Sequence, residues 1–535
     1  MHPCCYSSEF DVQIQGICKM KKDFGPSRIE PFEKMPLLKL KILMLCVITQ
    51  IAIVGCTLYF EESFEAVLVC STLVTALPLL LAWLQFKSLK MLLIPLVPFI
   101  AMHLIEFNAK GIAIKIWPYT FVGNRLASDI DLVLTLLWEG IAINVFTAGY
   151  LLGVLVAGNK STKSTVEDKR QFKILFRLYG LIGIVSTGVF VAIGQVFAFM
   201  SPLLYGGPVI QKGPLFSSIE QLLVTCMSIG FIAIGLYIFL ADRQRVTLFD
   251  KAIFYGIMIE YGVFSMMTGT KLWPLYLIIA LLFPRLYLKS WSIKRSIFVT
   301  LLILIAIYIL FSYTLHYRSL MLSTDLSLKE PSRFFAVTVT NVLIALVKSF
   351  SDPLFQDTVT NISSRFVGVD NTAIIISLYG TKETNPPWSI FLVPFFALVP
   401  RAFFPSKPTG LLGSEFSIDM GSVRYDAAGW AGGASTYVLG SAIYDGGLWG
   451  VVAVYFMLGI LFSTIYSKAA ISKSSLSKFV WTFILFMNSI TTHGSYQSIF
   501  NNIIRLGLFT LLTMFFIRRF ANREPRHKLT IMLPK

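Results

Sequence analysis

Charged residues are scarce in this chain, and their scarcity excludes most soluble folds. Only 14% of the 535 residues are Asp, Glu, Lys or Arg, whereas 55% are hydrophobic. Repeated apolar runs approach the roughly 20 residues that an α-helix needs to cross a bilayer. The sequence therefore predicts an all-α integral membrane protein with many spans.

Several features of other protein classes are also missing. The chain has no P-loop and no dinucleotide-binding fingerprint, and we predict neither a cofactor nor a bound metal. It also lacks internal repeats of about 20–50 residues. No inverted duplication of broken spans is visible, which weakens the case for a secondary transporter.

The apolar runs and their flanking charges predict about twelve spans. Seven proposed cytosolic segments hold 28 of the 46 Lys and Arg residues, as the positive-inside rule requires when both termini are cytosolic. None of the seven cysteines lies in a predicted outer loop, so we expect no disulfide framework there. The predicted spans are 39–60, 66–86, 91–107, 130–157, 174–199, 218–240, 252–268, 272–288, 297–314, 447–466, 479–493 and 499–517.

These spans divide the chain into five parts. A cytosolic tail, 1–38, precedes nine spans within 39–314. A large outer loop, 315–446, separates them from three closing spans within 447–517, and a second cytosolic tail, 518–535, follows. The outer loop is too long for a simple connector, because loops beyond about 15 residues in a compact domain usually have a function or are disordered.

Two apolar runs inside the outer loop predict ordered structure. The run Phe334–Phe350 is typical of a helix at the membrane surface. The run Trp388–Val399 is bracketed by prolines, which favours a re-entrant or interfacial segment. An extra pair of spans through these two runs is the alternative, and it leaves the orientation of the C-terminal spans unchanged.

The net charge of +17 does not indicate a nucleic-acid partner. Most of the excess lies in the loops and tails predicted to be cytosolic, where it sets orientation beside an anionic leaflet. The outer loop is nearly neutral by contrast, with nine basic and ten acidic residues. We therefore expect membrane lipid, and no nucleic acid, as a partner.

A stiff basic stretch, Pro400–Pro408, carries the most distinctive pattern. It reads Pro-Arg-Ala-Phe-Phe-Pro-Ser-Lys-Pro, and ten glycines follow between positions 410 and 450. Its two cations, Arg401 and Lys407, are held among prolines. Such cations bind phosphate, and glycines let backbone N–H groups approach a ligand.

This stretch resembles the Wzy-type polysaccharide polymerases. The resemblance includes the small residues 434–436 and the turn Tyr444-Asp-Gly-Gly-Leu-Trp-Gly450 before a span. It covers about 70 residues well and the remainder by topology alone. The chain departs from the family at 440–442, where Gly-Ser-Ala stands in place of an expected acidic residue.

The resemblance implies a GT-C-like membrane glycosyltransferase in the inner membrane of a bacterium. Its reaction joins oligosaccharide repeat units that are linked to undecaprenyl pyrophosphate, one as donor and one as acceptor, on the outer leaflet. A chain-length regulator and a flippase are the implied protein partners. The leaving lipid pyrophosphate requires stabilisation of its charge by Arg or Lys.

Five cations are candidates for that role. We predict Arg401 and Lys407 as catalytic residues, and Arg318, Arg365 and Arg424 as substrate-binding residues. Arg318 lies just beyond a predicted span, at headgroup depth, where an interfacial anchor is the alternative. A solvated loop charge is the alternative for Arg365.

Acid–base candidates are fewer. We predict Glu415 and His493 as catalytic residues and Asp426 as a substrate-binding residue, and an ordinary structural role is the alternative for each. His493 lies in a polar turn between two late spans, where a histidine can titrate near neutrality. Two carboxylates inside predicted spans, Glu139 and Glu260, are costly to bury, but we leave them outside the site.

Three other functions remain open. A ligase that transfers the finished glycan shares the topology and the reaction type. A transporter or flippase for lipid-linked sugars predicts functional charges deep within many spans. A scaffold without catalytic activity is disfavoured by the paired cations and the glycines.

Overall fold

A computed structural model describes most of the apolar helices of the chain. All regular structure in the described residues is helical, and they contain no β-strand. The predicted all-α class is confirmed for this part of the protein. The described residues are 44, 47–55, 63–86, 89–112, 128–157, 169–192, 214–243, 246–268, 272–289, 291, 293–323, 331–351, 368–379, 392, 399, 403–404, 436–472 and 474–521.

After a helical segment at 47–55, thirteen α-helices, α1 to α13, follow one another within these residues. A 3₁₀ helix, Leu89–Leu93, precedes α2, and a π-helix, Leu104–Ala109, continues it. The α-helices are α1 Phe64–Phe86, α2 Leu96–His103, α3 Asp129–Ala157, α4 Lys169–Ala192, α5 Pro214–Arg243, α6 Leu248–Thr268, α7 Leu272–Leu288, α8 Ile293–Ser323, α9 Pro331–Ser351, α10 Gly368–Tyr379, α11 Tyr437–Ile471, α12 Ser475–Ser489 and α13 Tyr496–Ala521.

Seven of the described helices are long and apolar enough to cross a membrane. Each corresponds to one of the predicted spans, which supports an α-helical membrane protein. The apolar segments are Phe64–Leu84, Asp129–Ala157, Arg170–Val191, Ser218–Asp242, Ile297–Met321, Tyr437–Ala469 and Tyr496–Ile517.

The other five predicted spans have different structures. The first, 39–60, is described only in part, and the third, 91–107, is divided among the 3₁₀ helix, α2 and the π-helix. α6 is 21 residues long but carries three charged residues. α7 has 17 residues and an internal proline, and α12 has 15 residues. A count of twelve spans therefore remains a prediction.

Both ends of the predicted outer loop are helical. α8 continues to Ser323 instead of ending at 314, because Tyr317 and Met321 extend its buried face. α11 begins at Tyr437, ten residues before the predicted span at 447, since Val438 and Leu439 are buried. The predicted helix at 334–350 is present as α9, which packs against α8. Most of the second run, 388–399, lies outside the described residues.

The buried side chains form two hydrophobic clusters. The first contains residues from every helix between α4 and α9, together with residues from α12 and α13. The second joins α1, α2, α3, α10 and α11 with parts of α12 and α13. Because α12 and α13 contribute to both clusters, they connect the two halves of the bundle.

The second cluster is built around a close contact between α3 and α11. A methyl group on Gly149 would overlap the carbonyl oxygen of Phe456, and one on Gly459 would overlap the carbonyl oxygen of Phe146. One turn further along α3, a methyl group on Gly153 would collide with Ser463. This spacing of small residues is typical of helix pairs in membranes, where close backbone approach maximises van der Waals contact.

Many hydroxyl groups inside the helices donate to carbonyl oxygens of their own backbone. Thr147 donates to the carbonyl oxygen of Ile143 at 2.7 Å, and Thr482 donates to that of Lys478 at 2.7 Å. Bonds of this kind pair polar groups that have no water in an apolar environment. Hydroxyl groups that donate in this way are therefore compatible with burial.

α11 is broken after its first nine residues. Gly446 has φ −160° and ψ 18°, and Gly447 has φ 56° and ψ −141°, so the helix is interrupted between Asp445 and Leu448. The φ of Gly447 lies in the region that favours glycine. The break separates a buried first segment, 437–445, from the long segment that packs on α3.

A carboxylate connects α4 with α6 at one end of the bundle. Asp250 Oδ2 accepts a hydrogen bond from the Thr247 backbone N–H at 2.9 Å, and Oδ1 accepts one from Arg177 Nε at 2.6 Å. Lys173 Nζ lies 3.2 Å from Oδ2. Burial opposes ionisation of Asp250, but the bonds from Arg177, Thr247 and Lys173 outweigh it and hold its pKa well below the usual range.

Replacing either contact glycine should destabilise the bundle. We expect Gly149→Ala and Gly459→Ala each to lower the free energy of unfolding by about 1–3 kcal/mol, because the methyl group meets backbone that cannot move aside. Thermal unfolding in detergent measures the effect. Gly262→Ala in α6 is the matched control, since a methyl group there meets nothing within 4 Å. Equal melting temperatures for Gly149→Ala and Gly262→Ala would contradict the close contact.

Asp250→Asn should destabilise the protein in a pH-dependent way. At neutral pH we expect a loss of about 1–3 kcal/mol, because charged hydrogen bonds to a buried carboxylate are lost. A lowered pKa means that the carboxylate stabilises the fold above its unfolded pKa of about 3.9 and loses this effect as the pH falls through the folded value. The difference between variant and wild type should therefore shrink below about pH 4.

Thermal unfolding across a pH series tests this expectation. Asp129→Asn is the control, because Asp129 is an exposed carboxylate in the first turn of α3. A difference between Asp250→Asn and wild type that stays constant down to acidic pH would contradict the assignment.

Candidate functional site

Ionisable and polar side chains gather inside the second hydrophobic cluster, near the start of α11. We call this set the buried polar cluster. Each member is at most 9% exposed. Ionisable groups at membrane depth are costly and usually mark functional sites. The cluster consists of Ser71, Thr75, His103, Glu106, Asn108, Lys110, Glu139, Asp370, Asn371, Thr372, Ser441, Asp445, Tyr455, Thr492, Tyr496 and Gln497.

Asp445 is the last residue before the break in α11. Its Oδ2 accepts a hydrogen bond from the Tyr496 hydroxyl at 2.6 Å and another from Gln497 Nε2 at 2.6 Å. The Tyr496 backbone N–H donates to Ser441 Oγ at 3.1 Å, one turn earlier on α11. These bonds hold the start of α13 against the first segment of α11.

The turn before α13 also packs against the start of α11. The Val438 backbone N–H donates to the carbonyl oxygen of Thr492 at 3.0 Å, which fixes the turn on the start of α11. His493 follows directly in this turn. Burial lowers the pKa of His493 below its ordinary value, so its imidazole is neutral at pH 7. Its chemistry is therefore that of a neutral base or hydrogen-bonding group.

The π-helix turns three consecutive residues into the interior. Glu106, Phe107 and Asn108 are all buried, whereas an α-helix rotates successive side chains by about 100°. The side chain of Thr492 faces Glu106. Oε2 of Glu106 has no hydrogen-bond partner among the described residues. Single-turn π segments inside α-helices are frequent at functional sites.

His103 occupies an aromatic setting one turn before Glu106. Its ring stacks on Phe107 with centroids 5.3 Å apart, and its Nε2 lies 3.3 Å from the hydroxyl of Tyr455. Nδ1 of His103 has no hydrogen-bond partner in the described part of the chain. Tyr455 of α11 is also close enough to Glu106 of the π-helix and to Glu139 of α3 to interact with them electrostatically.

Glu139 is held by hydroxyl groups of α1. Ser71 Oγ donates to its Oε2 at 2.5 Å, and Thr75 Oγ1 donates to its Oε1 at 2.8 Å. Asn108 of the π-helix donates to Ser71 Oγ at 2.8 Å. Both oxygens of Glu139 are thus satisfied, and the residue connects α1, α3 and the π-helix.

A buried ion pair joins the end of the π-helix region to α10. Lys110 Nζ lies 3.8 Å from Asp370 Oδ2, and their side chains are 3% and 7% exposed. α10 also packs closely on the backbone here, because a methyl group on Gly368 would lie 2.8 Å from the carbonyl oxygen of Glu106. The pair thus lies where α10 packs on the backbone of the π-helix.

Two of the eight predicted site residues lie in the described part of the chain. His493 lies in the turn that borders the buried polar cluster, next to Thr492. Arg318 lies on α8, directly after Tyr317 of the first hydrophobic cluster. The other six lie outside the described residues: Arg401, Lys407, Glu415, Arg365, Arg424 and Asp426.

Most members of the buried polar cluster were not predicted from the sequence. Glu106, Lys110 and Asp370 were not considered, and Glu139 was left outside the site. The signal available for Glu106 and Glu139 was their position within apolar runs, where a carboxylate is costly. Asp445 stood inside the quoted turn motif but had no assigned role.

The arrangement suits proton transfer and hydrogen bonding to a polar ligand. It combines carboxylates, a neutral histidine and tyrosine hydroxyls, the usual groups of acid–base chemistry. Within the described residues, no group of three or more His, Cys, Asp or Glu side chains is arranged to hold a metal ion.

Removing the tyrosine hydroxyl that binds Asp445 should weaken the site. We expect Tyr496→Phe to lower the free energy of unfolding by about 1.5–3 kcal/mol, because a hydrogen bond to a charged group is lost. Tyr261→Phe is the matched control. Its buried hydroxyl donates to the neutral carbonyl oxygen of Met227 at 2.6 Å, so we expect a loss of about 0.5–1.5 kcal/mol. Thermal unfolding that ranks Tyr261→Phe as the more damaging change would contradict a charged Asp445.

No family model, no curated protein and no solved structure matches this chain.

Proposed function

We propose that this protein is a membrane glycosyltransferase that polymerises oligosaccharide repeat units linked to undecaprenyl pyrophosphate. One observation carries the proposal. Glu106 is buried, the side chain of Thr492 faces it, and one of its oxygens has no partner in the described residues. A carboxylate in such a position is able to accept a proton from a sugar hydroxyl.

The predicted topology supports an outward-facing site. Positive loops assign the start of α11 and the turn at 490–495 to the outer side of the membrane. The basic stretch with Arg401 and Lys407 precedes α11 in the sequence and is assigned to the same side. A lipid pyrophosphate at the outer leaflet and a sugar hydroxyl would both be near this end of the bundle.

In the proposed reaction a carboxylate accepts a proton, and two cations stabilise the leaving group. The acceptor hydroxyl oxygen forms a bond to the anomeric carbon of the donor, and the bond from that carbon to the pyrophosphate oxygen breaks. The hydroxyl proton passes to Glu106. Arg401 and Lys407 stabilise the negative charge on the departing lipid pyrophosphate. Asp445, held by Tyr496 and Gln497, positions the start of α13 beside Glu106.

Complementation of a gene deletion tests the proposal. In the host of this protein, we expect deletion to remove long surface glycans while single lipid-linked repeats persist on the outer leaflet. Wild-type protein should restore the long chains. Glu106→Gln, Arg401→Ala and Lys407→Ala should each reduce them at least about a hundredfold at equal protein level in the membrane, the scale of a lost acid–base or charge-stabilising group.

Glu260→Gln is the matched control for Glu106→Gln. Glu260 is a half-buried carboxylate on α6, and its Oε2 also has no partner among the described residues. It lies next to Tyr261, a member of the first hydrophobic cluster. We expect this variant to make long chains. Full-length glycan with Glu106→Gln would refute the proposed proton acceptor.

A transporter of lipid-linked sugars is the second candidate. The observation that favours it is the depth of the charged groups, because Glu139, Lys110 and Asp370 are buried among helices. Intramembrane charges of this kind also occur along substrate pathways. The deletion separates the functions: repeats trapped on the inner leaflet indicate a transporter, and long chains left on the polyprenyl carrier indicate a ligase.

A further inference from the structure

A second polar site lies at the opposite end of the bundle from the buried polar cluster in the predicted topology. A cavity of about 510 Å³ opens between the C-terminal ends of α5 and α7 and the N-terminal end of α8. The loops at these helix ends, 241–251 and 289–296, are assigned to the cytosol by their basic residues. No step of the proposed glycosyl transfer uses this cavity.

The cavity is positively charged. Three cations line it, Arg285, Lys289 and Arg295, against one carboxylate, Asp242. Lys289 Nζ lies 2.9 Å from Asp242 Oδ1, so this pair is internally balanced. Over these four side chains the lining has more positive than negative groups, and both arginines are exposed.

The remaining wall is apolar and includes one interfacial aromatic residue. Leu282, Leu288 and Val299 contribute aliphatic surface, and Trp291 lies in the short connection between α7 and α8. Tryptophan is enriched at the level of lipid headgroups, where one side of the ring is apolar and the N–H is wet. The lining thus changes from cationic to aliphatic, as a lipid changes from headgroup to acyl chain.

The helix ends alone do not explain an anion site. The C-terminal ends of α5 and α7 carry negative partial charge, which disfavours an anion, and only the N-terminal end of α8 favours one. The side chains must therefore supply the attraction. Arginine is suited to this role because its planar guanidinium binds two phosphate oxygens at once.

We propose that this cavity binds the phosphate headgroup of an anionic phospholipid of the cytosolic leaflet, with an acyl chain along the aliphatic wall. Basic pockets between transmembrane helices on the cytosolic side recognise such headgroups. The bound lipid bridges α5, α7 and α8. This inference does not depend on the proposed polymerase activity.

Native mass spectrometry of the full chain in detergent tests the proposal. The protein is presented with equal amounts of phosphatidylglycerol and phosphatidylcholine that have identical acyl chains. We expect the wild type to retain phosphatidylglycerol about tenfold more often. The double variant Arg285→Ala with Arg295→Ala should lose this preference.

Two further double variants separate charge from folding. Arg285→Lys with Arg295→Lys keeps the charge and should keep most of the preference. Lys251→Ala with Arg519→Ala removes two exposed cations outside the cavity, at the predicted cytosolic ends of α6 and α13, and should keep it in full.

Three results would overturn the lipid site. They are equal retention of both lipids by the wild type, a preference that survives in the alanine double variant, and loss of the preference in the control outside the cavity. Inorganic phosphate at millimolar concentration provides a further arm. If it displaces the lipid and binds with the same dependence on Arg285 and Arg295, the cavity is a site for a soluble anion instead.

Discussion

The close contact between α3 and α11 is the constraint on which the buried polar cluster depends. The two helices meet at backbone level, with Gly149 against Phe456 and Gly459 against Phe146. α3 carries Glu139, and α11 carries Asp445 and Tyr455. The distance between the two helix axes therefore sets the distance between these polar groups. A larger residue at the contact would separate them as well as loosen the packing.

Aromatic side chains connect the contact between α3 and α11 with the π-helix region. Phe99 stacks on Phe146 with centroids 4.2 Å apart and meets the edge of Phe462, so α2 rests on both helices. His103 lies one turn beyond Phe99, and Tyr455 completes its surroundings. The position of the first polar residue of this region is thus determined by rings, which are stiff and allow few alternative arrangements.

The two buried glutamates of the cluster differ in their hydrogen bonding. Glu139 has hydroxyl donors for both oxygens and is satisfied within the fold. Glu106 retains an oxygen without a partner among the described residues, and a buried polar group in that state costs free energy. The first arrangement is typical of a structural group. The second leaves an oxygen for which no partner lies among the described residues, and the proposed function rests on that oxygen of Glu106.

The helical class and most long spans were predictable, because apolar runs of sufficient length have one solution in a membrane. The sequence also indicated the polar turn that contains His493. The cluster itself was not predictable, since Glu106, Asp370, Asp445 and Thr492 are far apart in sequence and only packing brings them together. The π-helix has no periodic signature, so a regular helix model puts Glu106 and Asn108 on different faces. Glu106 and Glu139 both lie in apolar runs, so the sequence does not distinguish their roles. The difference lies in their hydrogen bonds, which only the structure shows.

The backbone at the break in α11 favours one enantiomer of any residue that replaces Gly447. Gly447 has φ 56° and ψ −141°, yet no atom lies within 4 Å of where a Cβ would stand. Space is therefore available, and the restriction comes from the handedness of L-amino acids alone. The mirror image of these angles is an ordinary extended conformation. A D-alanine at this position would adopt the observed backbone without strain, whereas its L-enantiomer of identical volume would not.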